Sequence, residues 1–120
     1  MAFPVDEVAV ITGEEHLGRS LPDALRTRLM RDNGGEVRTT DDIWQLHPVF
    51  DRSDRKRIAR TANHILRETA AAKDWWGFPE DAVAVAANGA GDLLILLPED
   101  DRIHRWSHET AATEPVNVLW

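Results

Sequence analysis

Cysteine is absent from the 120 residues, and disulfides, thiol nucleophiles and thiolate zinc sites are excluded with it. Long apolar runs are also missing. The longest, Ala82 to Ala87, covers six residues, far short of the roughly 20 that a helix needs to cross a bilayer. The opening stretch from Met1 to Glu7 has no basic patch leading into an apolar segment, so neither a signal peptide nor a presequence is expected, and the expected location is cytoplasmic. Positive charge is scarce: Lys and Arg number 14 against 21 Asp and Glu, leaving a net charge of −7. Phosphate backbones are held largely by Lys and Arg, so nucleic acid is not an expected partner. No G-x-S-x-G elbow, G-x-x-x-x-G-K phosphate loop or H-E-x-x-H helix occurs.

What remains is an ordinary globular composition, 42% hydrophobic and 29% charged. A chain of this length buries about 65% of its unfolded surface, enough for one core without staples. One domain is expected over residues 1–120. Charge is distributed in blocks: residues 1–51 sum to −5, 52–67 to +5 and 68–120 to −7.

The spacing of apolar residues supplies the elements. Ile58, Ala62, Ile65, Leu66 and Thr69 recur at helical intervals, which predicts one amphipathic helix from Ser53 towards Trp75 with Ser53 as its N-cap. Ser20-Leu21-Pro22-Asp23 has capping-box form, so a second helix is expected to run to Asn33, with Gly34 as its left-handed cap. Phe78-Pro79-Glu80-Asp81 to Asn88-Gly89 repeats that start and stop grammar and predicts a short apolar helix. Asp6 to His16 suits a helix ending at Gly18 or, through Val8, Val10 and Ile11, a strand.

Leu93 to Leu97 is apolar on both alternating faces, as a central strand would be. Arg102 to His108 is its expected hairpin partner across the turn at Pro98 to Asp101. There Ile103 and Trp106 fall on opposite faces, which calls for a bulge or a half-covered sheet. Glu36–Thr40 and Ile43–His47 form a further expected hairpin around Asp41-Asp42, with Trp44 and Leu46 facing one way and Gln45 and His47 the other.

Five histidines, at 16, 47, 64, 104 and 108, invite a metal or acid–base hypothesis. His104 and His108 would lie about 13 Å apart along a strand, too far for one ion. Adjacent strand residues face opposite sides, so His108 is badly placed to activate Ser107. A small hydrolase using His104 or His108 with Glu109 is therefore the weakest of the readings. The acidic turns Asp41-Asp42 and Glu99-Asp100-Asp101 are solvated carboxylates that serve solubility or dock a basic protein. Of the five tryptophans, most are expected in the core and one or two as interface anchors.

A pattern emerges from these residues in order: Glu15-His16-Leu17-Gly18-Arg19-Ser20-Leu21-Pro22, Asn33-Gly34-Gly35, Trp44, Pro79, Asn88-Gly89, Gly91-Asp92-Leu93-Leu94 and Ile103-His104-Arg105-Trp106-Ser107-His108-Glu109. It resembles the SUKH superfamily, which includes fungal cell-wall assembly regulators and many bacterial immunity proteins. The resemblance runs from about residue 14 to 109, and departs at Ser107, where the family often has Asp. It implies an α+β domain with helices packed on a mostly antiparallel sheet and no enzymatic activity; no cofactor is expected, and the histidine spacing leaves no metal expected either. By the same resemblance, the chain looks like an immunity protein that occludes a polymorphic toxin, a basic nuclease being the class its charge would suit. The expected toxin-binding residues are Asp41, Asp42, Glu99, Asp100, Asp101 and Glu109. The alternative is an adaptor that binds a cellular protein through Arg55, Lys56, Arg57 and Arg60. Oligomeric state is left open.

Overall fold

The computed structural model describes residues 2–120. Helix α1 (Glu7–Leu17) starts where the Asp6 carboxylate accepts the Ala9 N–H at 3.1 Å, and it ends at Gly18, whose φ of 77° only glycine adopts cheaply. The helical alternative for this segment therefore holds. α2 (Asp23–Arg31) follows without the expected capping box: Pro22 occupies the cap position with no side-chain bond. The Leu21 N–H is instead taken by the Glu14 carboxylate, which also pairs with Arg26. Gly34 does not cap α2 either. Asp32 does so in an extended conformation, and the positive φ of Gly34 and Gly35 turns the chain into the first strand.

Strands β1 (Glu36–Arg38), β2 (Ile43–Leu46), β3 (Val83–Ala87), β4 (Leu93–Leu96), β5 (Ile103–Trp106) and β6 (Thr113–Pro115) form one antiparallel sheet in chain order. Both expected hairpins are present, and β4 is buried along its whole length. His47, expected opposite Trp44, lies just past β2 and is buried, its ring bonded to the Ala84 carbonyl.

Two expected helices are corrected. Residues 83–87 are a strand because β2 and β4 hydrogen-bond to them from both sides, a tertiary demand that overrides the helical propensity of alanine. The single helix over 53–75 is two, α3 (Arg55–Arg60) and α4 (Ile65–Ala72). Thr61 separates them: its hydroxyl donates to the Arg57 carbonyl and accepts the Asp51 N–H, while the His64 ring caps α4 by accepting the Arg67 N–H. The cap of α3 is Asp54, not Ser53.

Apolar residues cover both sides of the central strands β3, β4 and β5, while the outward residues of β1 and β2 stay exposed. On one, Val37, Trp44, Leu46, Val85, Leu94 and Ile103 pack against Val10, Leu25, Leu29 and Ile65 of the helices. On the other, Leu93, Ile95 and Trp106 meet Ala72 and Phe78. This double coverage explains Ile103 and Trp106: both faces are filled, and β4 and β5 pair in unbroken register. The irregularity lies instead in β3, between Ala84 and Ala86, and it turns Val85 and Ala86 towards the same side.

Candidate interaction surface

The antiparallel order decides which turns share an end of the sheet. Arg38 pairs with Ile43, Ala87 with Leu93 and Leu93 with Trp106, so the Asp41-Asp42 turn, the Asn88–Gly91 turn and the loop after Trp106 lie together. The Glu99–Asp101 turn is at the opposite end, beyond Leu96 and Ile103. The six expected toxin-binding residues are thereby divided, Asp41, Asp42 and Glu109 at one end and Glu99, Asp100 and Asp101 at the other.

At the first end, Arg105 is the hub. Its guanidinium lies 2.8 Å from Asp92 and 3.7 Å from Asp42, stacks over Trp44 and is 3.9 Å from Asp41. Burial pushes the Asp92 carboxyl up, but the bonds from Arg105 and from the His108 ring and N–H outweigh it, and the group is held below the usual carboxylate range. Asp42 is lowered chiefly by the Asn88 side-chain amide, with the Ile43 N–H helping. Asn88 also accepts the Ala90 and Asp92 N–H groups. These contacts make the N-G-x-G-D and W-x-H-E motifs a polar clamp between the β3–β4 turn and β5. Asp41 and Glu109 remain exposed.

The second end is knotted locally. Arg102 donates to Asp100 through side chain and backbone and lowers its pKa to about 2. Arg19 reaches from the α1–α2 loop to the Leu97 carbonyl at 2.9 Å and to the Asp101 carboxylate at 2.9 Å. Glu99 is exposed at a φ of 58°.

The basic residues of α3 gather around an aromatic ring. The guanidinium of Arg57 is 4.5 Å from the Phe3 ring centre and that of Arg60 4.7 Å, with the Lys56 ammonium at 5.9 Å. Arg57 also pairs with Asp54 and Asp51, and Arg55 is exposed.

The histidines do not assemble into a centre. His47 is held neutral by burial, which lowers its pKa against the opposing bond to the Ala84 carbonyl. His104 is buried with Nδ1 against the Arg102 carbonyl, and His108 is committed to Asp92 at 2.7 Å. Among the described residues, no three His, Asp or Glu side chains converge as metal ligands would.

The motif residues are structural in the same way. Asn33 pairs its side-chain amide with both backbone groups of Val49, each at 2.9 Å, and the Trp106 indole donates to the Gly77 carbonyl. The model of the SMI1 / KNR4 family (SUKH-1) matches residues 4–119. The chain belongs to that family. No curated protein and no solved structure matches it. In this SUKH-1 chain Asn33, Asp92 and Trp106 build the scaffold.

Two surface features were not found from the sequence. Trp75 and Trp76 are exposed, Trp76 at 72%, beside Trp106 and the 108–111 loop. The sequence expectation of one or two anchor tryptophans named no position. A groove of about 570 Å³ also runs between α1 and the start of α4, floored by Val49 and Phe50. Its apolar lining comes from segments far apart in the chain.

Proposed function

We propose that this SUKH-1 protein is a non-catalytic immunity protein that occludes a cognate protein toxin, a basic nuclease domain being the class its charge fits. The observation that carries the reading is the exposed Trp76 at the same end of the sheet as the exposed carboxylates Asp41 and Glu109. An aromatic anchor ringed by charge is the usual anatomy of a tight protein contact. Asp42 frames this surface, and the Arg105 clamp holds it rigid, which limits the entropy lost on binding. Glu99, Asp100 and Asp101, at the far end, contribute to the long-range field that steers a basic partner.

The neighbouring genes are expected to encode a secreted protein ending in a small toxin domain, and the test is co-expression with that domain. Wild type is expected to restore growth and to co-purify with the toxin. Trp76→Ala and the pair Asp41→Lys, Glu109→Lys are expected to lose both while melting like wild type. Toxicity unaffected by wild type defeats the proposal.

The second reading, an adaptor that binds a cellular protein, draws support from the cations collected around Phe3. Its signature is a partner retained by wild type and released by replacing Arg55, Lys56, Arg57 and Arg60 with Glu.

A further inference from the structure

Arg57 and Arg60, two of the cations around Phe3, also line a cavity of about 270 Å³. Its walls are the amino-terminal segment, the end of β2 and the turn between α3 and α4, and Phe3, Leu46 and Pro48 give it carbon surface. Several of its donors are unspent. The side-chain amides of Gln45 and Asn63 bond to no described residue. Arg57 turns Nε towards Asp51 at 3.6 Å and Nη1 towards Asp54 at 2.8 Å, while its Nη2 makes no bond among the described residues. Close by, the Lys56 ammonium contacts the Phe3 ring and pairs with no carboxylate among the described residues.

The carboxylate in the lining is already committed. Asp51 Oδ1 accepts the Ser53 N–H at 3.0 Å and the Ser53 hydroxyl at 2.7 Å, and Oδ2 faces Arg57. The donors are also fixed before anything binds. Phe3 is pinned by the Asn33 N–H, which donates to its carbonyl at 2.8 Å, and Gln45 is held in the sheet between Glu36 and Ala87. Three positive charges gathered on one ring repel each other, and an anion set among them offsets that cost. Guanidinium and amide donors beside a small carbon surface match an oxyanion with a short carbon skeleton.

We propose that this cavity binds a small organic oxyanion, a dicarboxylate or a phosphate monoester, held by the Arg57 guanidinium with Arg60 alongside and by the amides of Gln45 and Asn63. Gln45 pairs with Glu36, at the end of the β1–β2 hairpin away from Asp41-Asp42, so the ligand does not compete with the toxin surface. Neither of the protein partners proposed above is needed for it.

The purified protein, labelled with nitrogen-15, is titrated with succinate and with glycerol 3-phosphate while sodium chloride keeps the ionic strength constant. At least one of the two is expected to shift the Gln45 and Asn63 side-chain amides and the Arg57 Nε–H along a saturating curve. The anion that saturates at the lower concentration names the class. Replacing both amides, Gln45→Ala with Asn63→Ala, should raise the dissociation constant about tenfold and leave the thermal melt unchanged, because neither side chain bonds to the fold. Lys56→Gln should weaken binding less, through charge alone. Shifts that never saturate, or that chloride alone reproduces, overturn the proposal. So does saturation that the double variant leaves untouched. A hexaglutamate peptide that binds more tightly than succinate and ignores the double variant also overturns it, and assigns these cations to an acidic protein instead.

Discussion

Asn33 is the residue on which the fold's inner wiring can be tested most sharply. Its amide closes a two-way bridge with Val49: Nδ2 donates to the Val49 carbonyl and Oδ1 accepts the Val49 N–H, each at 2.9 Å and each buried. Asn33→Ala removes both partners and leaves a buried donor and a buried acceptor unpaired. Each orphaned group costs about 1–3 kcal/mol, so a loss of about 3 kcal/mol is expected, a large share of the roughly 5–15 kcal/mol that holds a domain together. For a chain of this size that corresponds to a melting point lower by about 10 °C. Asn33→Asp is the informative companion. It keeps the acceptor for the Val49 N–H but sets a carboxylate against the Val49 carbonyl, so the folded state should favour the protonated acid and raise its pKa. A raised folded pKa gives stability that is present at low pH and lost as pH climbs through the folded value. The gap between Asn33→Asp and wild type should therefore widen from pH 5 to pH 8. Urea unfolding read by tryptophan fluorescence, with a constant m-value, measures both. A loss below about 1 kcal/mol for Asn33→Ala, or a pH-independent gap for Asn33→Asp, would refute the reasoning.

Burial depresses the pKa of His47 and of the half-buried His64, so the unfolded chain binds protons that the native state refuses. Stability should fall as pH drops below the free-histidine value of about 6.5, and His47→Gln should flatten the dependence in unfolding curves taken at pH 8, 6.5 and 5. Gly77→Ala combines a φ of 74° with a Cβ that would lie 2.5 Å from the Ala111 methyl; a loss of about 2 kcal/mol and altered Trp75 and Trp106 emission are expected. Leu25→Ala empties a fully buried position under the sheet and should cost about 2–5 kcal/mol in the same urea assay. Arg105→Gln should raise the Asp92 pKa, leave Asp42 low through Asn88, and loosen the 88–92 turn, seen as faster amide exchange at Ala90 and Asp92.

Much of the architecture was legible wherever one physical signal acted alone. Leu93 to Leu97 contains no polar residue, so a doubly covered strand was its simplest reading, and Asp41-Asp42 between two alternating segments marked a hairpin. The failures fall where two signals compete. Ala82 to Ala87 has helical propensity and a helix-like start at Pro79, yet Val83 and Val85 were the β-branched clue, and pairing on both sides decided the matter. The 53–75 segment keeps helical periodicity through its break, because α3 and α4 flank a turn held by the Thr61 hydroxyl and the His64 ring. No periodicity reports a side chain bonding across a turn. For the site, charge alone picked out six acidic residues. It could not say that Arg102, Arg19 and Arg105 answer some of those charges, nor that the sheet sends the two groups to opposite ends.

One small contact has consequences for how the molecule is made. The Leu119 N–H donates to the Arg38 carbonyl, so the segment after β6 latches onto the first strand. Val116 and Val118, on the way, pack against the core. Until that segment arrives, β1 presents bare backbone on its outer side, the kind of edge that recruits other chains. During synthesis the early hairpin stays uncovered until residues 116–119 have been made, and Leu119→Pro, which removes the donor, should make the protein sticky before it makes it unstable.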